Sequence, residues 1–164
     1  MIELGHKDIA IITGNFEHYT SRGRLKGFLD AMKEADLIPV DEHIQCGDYS
    51  IDGGYEAMLR IWDTKKRPTA IFISNYDMTI GAYLAINYLN LKIPDDISVI
   101  GFDNFPLANV VNPPLSFAEQ PTNEMGTEAG KLLYKRICGD YSDYPQTIMH
   151  KPTMYYKESI RKIN

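Results

Sequence analysis

The chain has 164 residues, enough for one domain with a real core. It contains no apolar run near the roughly 20 residues that cross a bilayer. A formal net charge of −5 and the lack of a Lys/Arg cluster argue against a nucleic-acid-binding face, because such faces replace counterions with grouped cations.

The N-terminus, Met1-Ile2-Glu3-Leu4-Gly5-His6-Lys7-Asp8, lacks the basic-then-apolar-then-small order of a secretory signal, so a cytoplasmic protein is expected. Ile9-Ala10-Ile11-Ile12 is a short, continuously apolar run, as a strand covered on both faces requires. After a loop over 14–20, the stretch 21–36 places Leu25, Phe28, Leu29 and Met32 on one helical stripe. Ile44-Gln45-Cys46 reads as the second strand. A helix over 52–65 follows, its stripe formed by Tyr55, Met58, Leu59 and Trp62. The basic run Lys65-Lys66-Arg67 precedes Pro68 at that helix's end, where cations complement the helix dipole. Ala70-Ile71-Phe72-Ile73-Ser74 is the third strand, 78–90 the third helix, and Ile97-Ser98-Val99-Ile100 the fourth strand, entered through the turn Ile93-Pro94-Asp95-Asp96.

This alternation predicts an α/β fold: a parallel sheet flanked by helices in three α/β/α layers, with right-handed crossovers. Beyond Asp103 the pattern changes. Pro106, Pro113, Pro114 and Pro121 make 104–121 a long, stiff excursion. Thr122 reads as the N-cap of a helix through Ile137 that Gly139 ends, and 147–156 as a final strand. Cys46 and Cys138 form no C-x-x-C pair; they are two buried thiols or one long-range disulfide.

In an open parallel sheet, ligands bind beyond the carboxyl ends of the strands. Those positions hold Thr13, Gly14 and Asn15, then His18, Thr20 and Arg24; Asp48 and Tyr49; Asn75; and Asp103. A carboxylate, an amide, a guanidinium and an aromatic ring suit a polyhydroxylated ligand, although each residue taken singly also fits a cap or a turn. Catalysis is not expected. There is no G-x-S-x-G elbow and no phosphate-binding G-x-x-x-x-G-K-[ST] loop, and His6, His18, His43 and His150 are scattered without metal-ligand spacing. No cofactor and no metal are expected, and an acidic pocket at Asp77 or Asp103 lacks partner carboxylates near the first strand.

Taken together, the motifs resemble one family. Gly5-His6-Lys7-Asp8-Ile9-Ala10-Ile11-Ile12-Thr13-Gly14 resembles the G-H-x-x-I-A-x-I-x-G that opens the second half of LacI/GalR regulators. Arg24-Leu25-Lys26-Gly27-Phe28 matches their R-x-x-G-F. Gly47-Asp48-Tyr49, Gly54-Tyr55 and Arg67-Pro68-Thr69-Ala70-Ile71-Phe72 follow in the expected order. The most specific block is Ile93 to Asn104, IPDDISVIGFDN, and Pro113-Pro114-Leu115 and Gln120-Pro121 complete the series.

The resemblance implies a periplasmic-binding-protein-like sensing domain of a repressor, in which two α/β lobes close on a small, sugar-like effector. The ligand-facing positions would be His18, Thr20, Arg24, Tyr49, Asn75, Asp103 and Gln120, with Arg24 and Asp103 as polar anchors and Tyr49 as a stacking platform. Residues 1–120 and about 147–164 would form the C-terminal lobe. The helix within about 121–140 would pack on an N-terminal lobe that is absent here, as is the DNA-binding head. A homodimer is implied, with Phe105, Leu107, Val110 and Val111 as candidate contacts unless they pack on their own sheet. The alternative is a periplasmic sugar-binding protein of a transport system. Two departures from the family pattern bear on the ligand: the usual N-D reads Asn75-Tyr76-Asp77, and His18 stands where some relatives carry Arg.

Overall fold

The computed structural model describes residues 1–103, 106–109 and 111–163, with the backbone alone at 106 and 107. Five parallel strands form the sheet, β1 (Ile9–Thr13), β2 (Ile44–Cys46), β3 (Ala70–Ile73), β4 (Ser98–Phe102) and β5 (Ser116–Glu119), and a sixth, β6 (Thr153–Tyr155), pairs antiparallel with β5. Their order across the sheet is β2-β1-β3-β4-β5-β6. β1 is buried along its whole length, as its unbroken apolar run requires of a strand covered on both faces.

The helices are α1 (Tyr19–Glu34), α2 (Ile51–Trp62), α3 (Tyr76–Tyr88) and α4 (Thr122–Ile137). Ser50 starts α2 by accepting the Gly53 N–H on its hydroxyl at 2.9 Å. Arg67 donates to the Trp62 carbonyl that ends this helix and lies 4.9 Å over the Trp62 ring, so this member of the basic run serves the helix end, whereas Lys66 pairs with Asp8. Ala57, Met58 and Ile61 of α2 and Met78, Ala82, Ala85 and Ile86 of α3 close the main core over Ile12, Ile71, Ile73 and Val99. α2 and α3 touch backbone to backbone at Gly81, where a Cβ would stand 1.9 Å from the Ile51 carbonyl oxygen. The other face is covered more thinly. Met32 of α1 packs on Ile9 and Ala70, and an open groove of about 530 Å³ runs beside it, floored by Phe72, Ile100 and Phe102.

Several elements differ from the sequence expectation. The excursion over 104–121 contains a 3-10 turn at Pro106–Asn109 and the whole of β5, a four-residue strand hidden behind Pro113 and Pro114. The final strand is three residues long rather than ten, and antiparallel. α1 begins at Tyr19, and of its expected stripe Met32 alone is fully buried. Pro121, not Thr122, occupies the N-cap of α4; Thr122 lies inside the first turn and its side chain caps nothing. Cys46 is half-buried and Cys138 exposed, and both are free, so neither is a buried thiol and no disulfide joins them. Val111 packs against the lobe's own core, whereas Phe105, Val110 and the Leu107 side chain lie outside the described residues.

α4 buries no residue. It leaves the sheet after β5 and the chain returns at β6. From there 157–163 retraces the lobe: Ser159 donates to the Val99 carbonyl at 2.7 Å, and the Ile163 N–H reaches the Leu4 carbonyl at 2.9 Å. Among the described residues no helix is long and apolar enough to cross a membrane.

Candidate functional site

The strand order reverses direction of travel at β1: α1 leads outward from β1 to β2, whereas α2 leads back across it to β3. The loops after β1 and β3 therefore part at their carboxyl ends, leaving the crevice where open α/β sheets receive ligands.

Arg24 reaches into that crevice from the second turn of α1. Its Nη1–H donates to the Ser74 carbonyl, just beyond β3, at 2.5 Å. Its Cζ lies 3.9 Å from the centre of the Phe102 ring, at the end of β4. Burial draws the guanidinium below its ordinary pKa, while the negative field of Asp103 and then Tyr49 opposes that shift. A guanidinium is basic enough to stay charged in proteins despite such a shift. Among the described residues no ion pair joins Arg24 to Asp103, and no hydrogen bond engages Arg24 Nε or Nη2.

Asp103 follows β4 at φ 77°, a left-handed conformation rare for a residue with a side chain and frequent at functional positions. Its N–H is held by the Ala118 carbonyl at 2.7 Å, and its Oδ1 accepts from Gln120 Nε2 at 2.7 Å. The two residues thus join the ends of β4 and β5. On the far side of the crevice, Tyr49 is also left-handed, at φ 58°, after Asp48 at φ 49°. Its hydroxyl is shared by Ser21 at 2.6 Å and Thr20 at 2.9 Å in the first turn of α1, and the His18 ring lies 5.8 Å away. The ring crosses directly over Gly14, where a Cβ would meet it at 2.2 Å. Tyr49 therefore offers a ring and not a free hydroxyl, and only glycine after β1 leaves room for it.

Asn75 has a structural task. Its Oδ1 accepts the Met78 N–H at 3.1 Å, which caps α3. Tyr76 packs on the main core and Asp77 lies in the first turn of α3. The structure thus brings Arg24, Asp103 and Gln120 to one part of the edge and His18, Thr20 and Tyr49 to the adjacent part, bridged by α1. Sequence reasoning missed Phe102, Ser21, the Ser74 carbonyl and the space over Gly14. The hydroxyl of Ser21, fully buried beside Thr20, is a signal visible only in three dimensions. Thr13 and Ser74, neighbours across β1 and β3, also bury hydroxyls that find no hydrogen-bond partner among the described residues. Among the described residues there is no group of three or more His, Cys, Asp or Glu side chains placed to hold a metal ion.

Residues 1–160 match the model of the periplasmic binding protein-like domain. The chain belongs to that family. Within it, the sequence is 40% identical over 160 residues to the HTH-type transcriptional repressor PurR of Proteus mirabilis (strain HI4320), covering 98% of this chain and 47% of that one. The structure superposes on a transcriptional regulator LacI from Bacillus cereus subsp. cytotoxis NVH 391-98 with a TM-score of 0.92 at 28% identity, covering 99% of this chain and 57% of that one. It also matches the Escherichia coli transcriptional repressor ascG, with a TM-score of 0.84 at 29% identity over 98% of this chain and 58% of that one. The LacI/GalR resemblance is therefore borne out, as is the α/β fold, and the relatives are repressors rather than enzymes or transport proteins. The chain spans about half the length of the relatives it matches.

Proposed function

We propose that this chain is the effector-sensing part of a LacI-type transcription repressor, binding a small polar molecule at the strand ends and passing that binding on to operator affinity. The observation that carries the reading is the convergence of Arg24 from α1 with Tyr49 and Asp103 from the ends of β2 and β4 onto one crevice edge, with the Arg24 Nε and Nη2 edge unengaged among the described residues. A guanidinium edge takes paired acceptors, the Asp103 carboxylate and Gln120 amide take hydroxyls or ring N–H groups, and the Tyr49 ring covers a ring face. A sugar or sugar derivative meets that set; a nucleobase with a planar nitrogenous edge meets it too and is the rival. His18, Thr20 and Asn75 complete the proposed lining.

In this reading residues 1–120 and about 147–164 form the C-terminal lobe, and the helix within about 121–140 packs on an N-terminal lobe. Support comes from α4, which buries no residue here, and from the half-length match to the relatives. Operator DNA is contacted through a separate N-terminal head, by a cytoplasmic homodimer whose contacts include the segment after Asp103. Effector binding shifts lobe closure, and this alters operator affinity only as far as the effector prefers one closure state over the other. The domain senses and does not catalyse.

Thermal-shift screening of the full-length protein against sugars, sugar phosphates and nucleobases tests the reading. A ligand at a hundredfold its dissociation constant stabilises by about 2.7 kcal/mol. The expected result is a hit that Asp103→Ala and Arg24→Ala each abolish. A hit indifferent to both substitutions, or no hit across the panel, overturns the reading.

A further inference from the structure

We infer that Phe102 is a positioning residue for the effector site: its ring sets the plane of the Arg24 guanidinium and so aims the unengaged Nε and Nη2 edge at a ligand bearing two adjacent acceptor atoms. The inference rests on the effector reading above and adds to it a residue and a ligand chemistry.

An arginine on a helix has several rotatable bonds, and a single hydrogen bond fixes one N–H direction without fixing the plane of the group. At Arg24 that hydrogen bond is the one from Nη1 to the Ser74 carbonyl. The ring of Phe102, 3.9 Å from Cζ, provides the second constraint, because a delocalised cation is held face-on by an aromatic quadrupole. Phe102 is itself held. Phe72, its neighbour from β3, meets it edge-on at 6.4 Å between ring centres and 70° between planes. The groove-facing side of the sheet thus supplies a row, Phe72 to Phe102 to Arg24, that ends at the crevice.

With one N–H on Ser74 and one face on Phe102, the Nε and Nη2 donors form a fixed fork. A planar fork recognises paired acceptors such as a carboxylate, two adjacent hydroxyls or a heterocycle edge. Asp103 lies close enough for its charge to act on Arg24, yet forms no ion pair with it among the described residues. The fork is therefore not closed by the protein's own carboxylate.

The test is a double-mutant cycle in the full-length protein, with adenine, guanine, ribose, ribose 5-phosphate and glucose as probes. Phe102→Leu keeps apolar volume and removes the ring; Phe102→Tyr keeps the ring; Phe102→Met replaces the leucine variant if that one does not fold. For the probe that binds in an Arg24-dependent way, Phe102→Leu should weaken affinity about tenfold, a coupling of about 1.4 kcal/mol. Phe102→Tyr should stay within about threefold, and in an Arg24→Lys background Phe102→Leu should change nothing further. The rate of phenylglyoxal modification of Arg24, read by mass spectrometry without ligand, should rise several-fold in Phe102→Leu and not in Phe102→Tyr.

Wild-type affinity in Phe102→Leu, or losses that simply add in the double variant, overturn the positioning role while leaving the effector reading intact. An unchanged modification rate removes the stacking and the role with it. If no probe binds with dependence on Arg24, the effector reading fails first and the role falls with it.

Discussion

α3 and α4 are neighbours in kind and opposites in fate. Both are regular helices of 13 and 16 residues, but α3 buries Met78, Thr79, Gly81, Ala82, Ala85 and Ile86 whereas α4 buries nothing. The apolar residues of α4 are not missing: Met125, Leu133 and Ile137 are all present and all exposed. Local pattern therefore made two helices, and the presence or absence of an apposed surface decided which of them is held. Propensity alone stabilises a helix of this length only marginally, and packing of an apolar face supplies the rest.

Glycines offer the sharpest way to break the comparison, since both helices contain them for different reasons. At Gly81 an added methyl would meet the Ile51 carbonyl oxygen at 1.9 Å, and backbone cannot swing aside as a side chain can. Gly81→Ala is expected to cost about 3 kcal/mol, the upper range for overpacking. For a chain of this size that lowers the melting temperature by about 6–12 °C. A melting temperature within a degree of wild type would mean that α2 and α3 are not in backbone contact.

At Gly126 and Gly130 of α4, by contrast, an added Cβ meets nothing within 4 Å. Gly126→Ala and Gly130→Ala should each add about 0.5–1 kcal/mol of helix stability by restricting the unfolded chain. Because α4 is not packed on the lobe, this gain should appear as slower amide exchange over 122–137 and leave the lobe's melting temperature unchanged. A rise in lobe melting of several degrees would show that α4 and the sheet unfold as one unit.

The same contrast governs what the sequence revealed. Buried strands β1, β3 and β4 announce themselves as apolar runs because both of their faces are covered. β5 does not, since Ser116 and Glu119 break its run and two prolines precede it, and β6 falls inside the expected final strand but is far shorter than 147–156, with all three residues exposed. At the candidate site, Arg24, Tyr49 and Asp103 are legible because strand ends are where such sheets receive ligands, and Gln120 only through the family resemblance. Phe102 was not, because a phenylalanine closing a strand reads as core until the arginine above it is seen. The left-handed turn that presents Tyr49 leaves no mark in its residue types; Asp48 and Tyr49 are not glycines. Asn75 stands at a strand end and among the positions the resemblance implies, and its Oδ1 also caps α3.

The smallest expected effect concerns the seam that ties the returning chain to the lobe. His6 is buried, its Nε2–H donating to the Arg161 carbonyl at 2.9 Å, which leaves Nδ1 to accept from the Thr69 hydroxyl at 2.9 Å. Burial lowers its pKa below the ordinary 6.5; the hydrogen bond to Arg161 opposes the shift, and the charges of the N-terminus and Arg161 reinforce it. The folded state therefore prefers neutral His6, and below pH 6.5 the unfolded chain binds more protons than the folded one. Unfolding free energy then rises with pH, so this contribution is complete above pH 6.5 and is lost as pH falls towards the folded value. Urea unfolding between pH 5 and 7.5 should show that slope, and His6→Gln, which titrates nowhere in the range, should flatten it. Exchange in α4 should be no more pH-sensitive, beyond intrinsic chemistry, in wild type than in His6→Gln, because the seam anchors 157–163 to the lobe and not to that helix. A slope unchanged by His6→Gln would move the pH dependence to another group. A slope accompanied by loosening of α4 would mean that the helix depends on the lobe after all, and the division between the two regions would have to be redrawn.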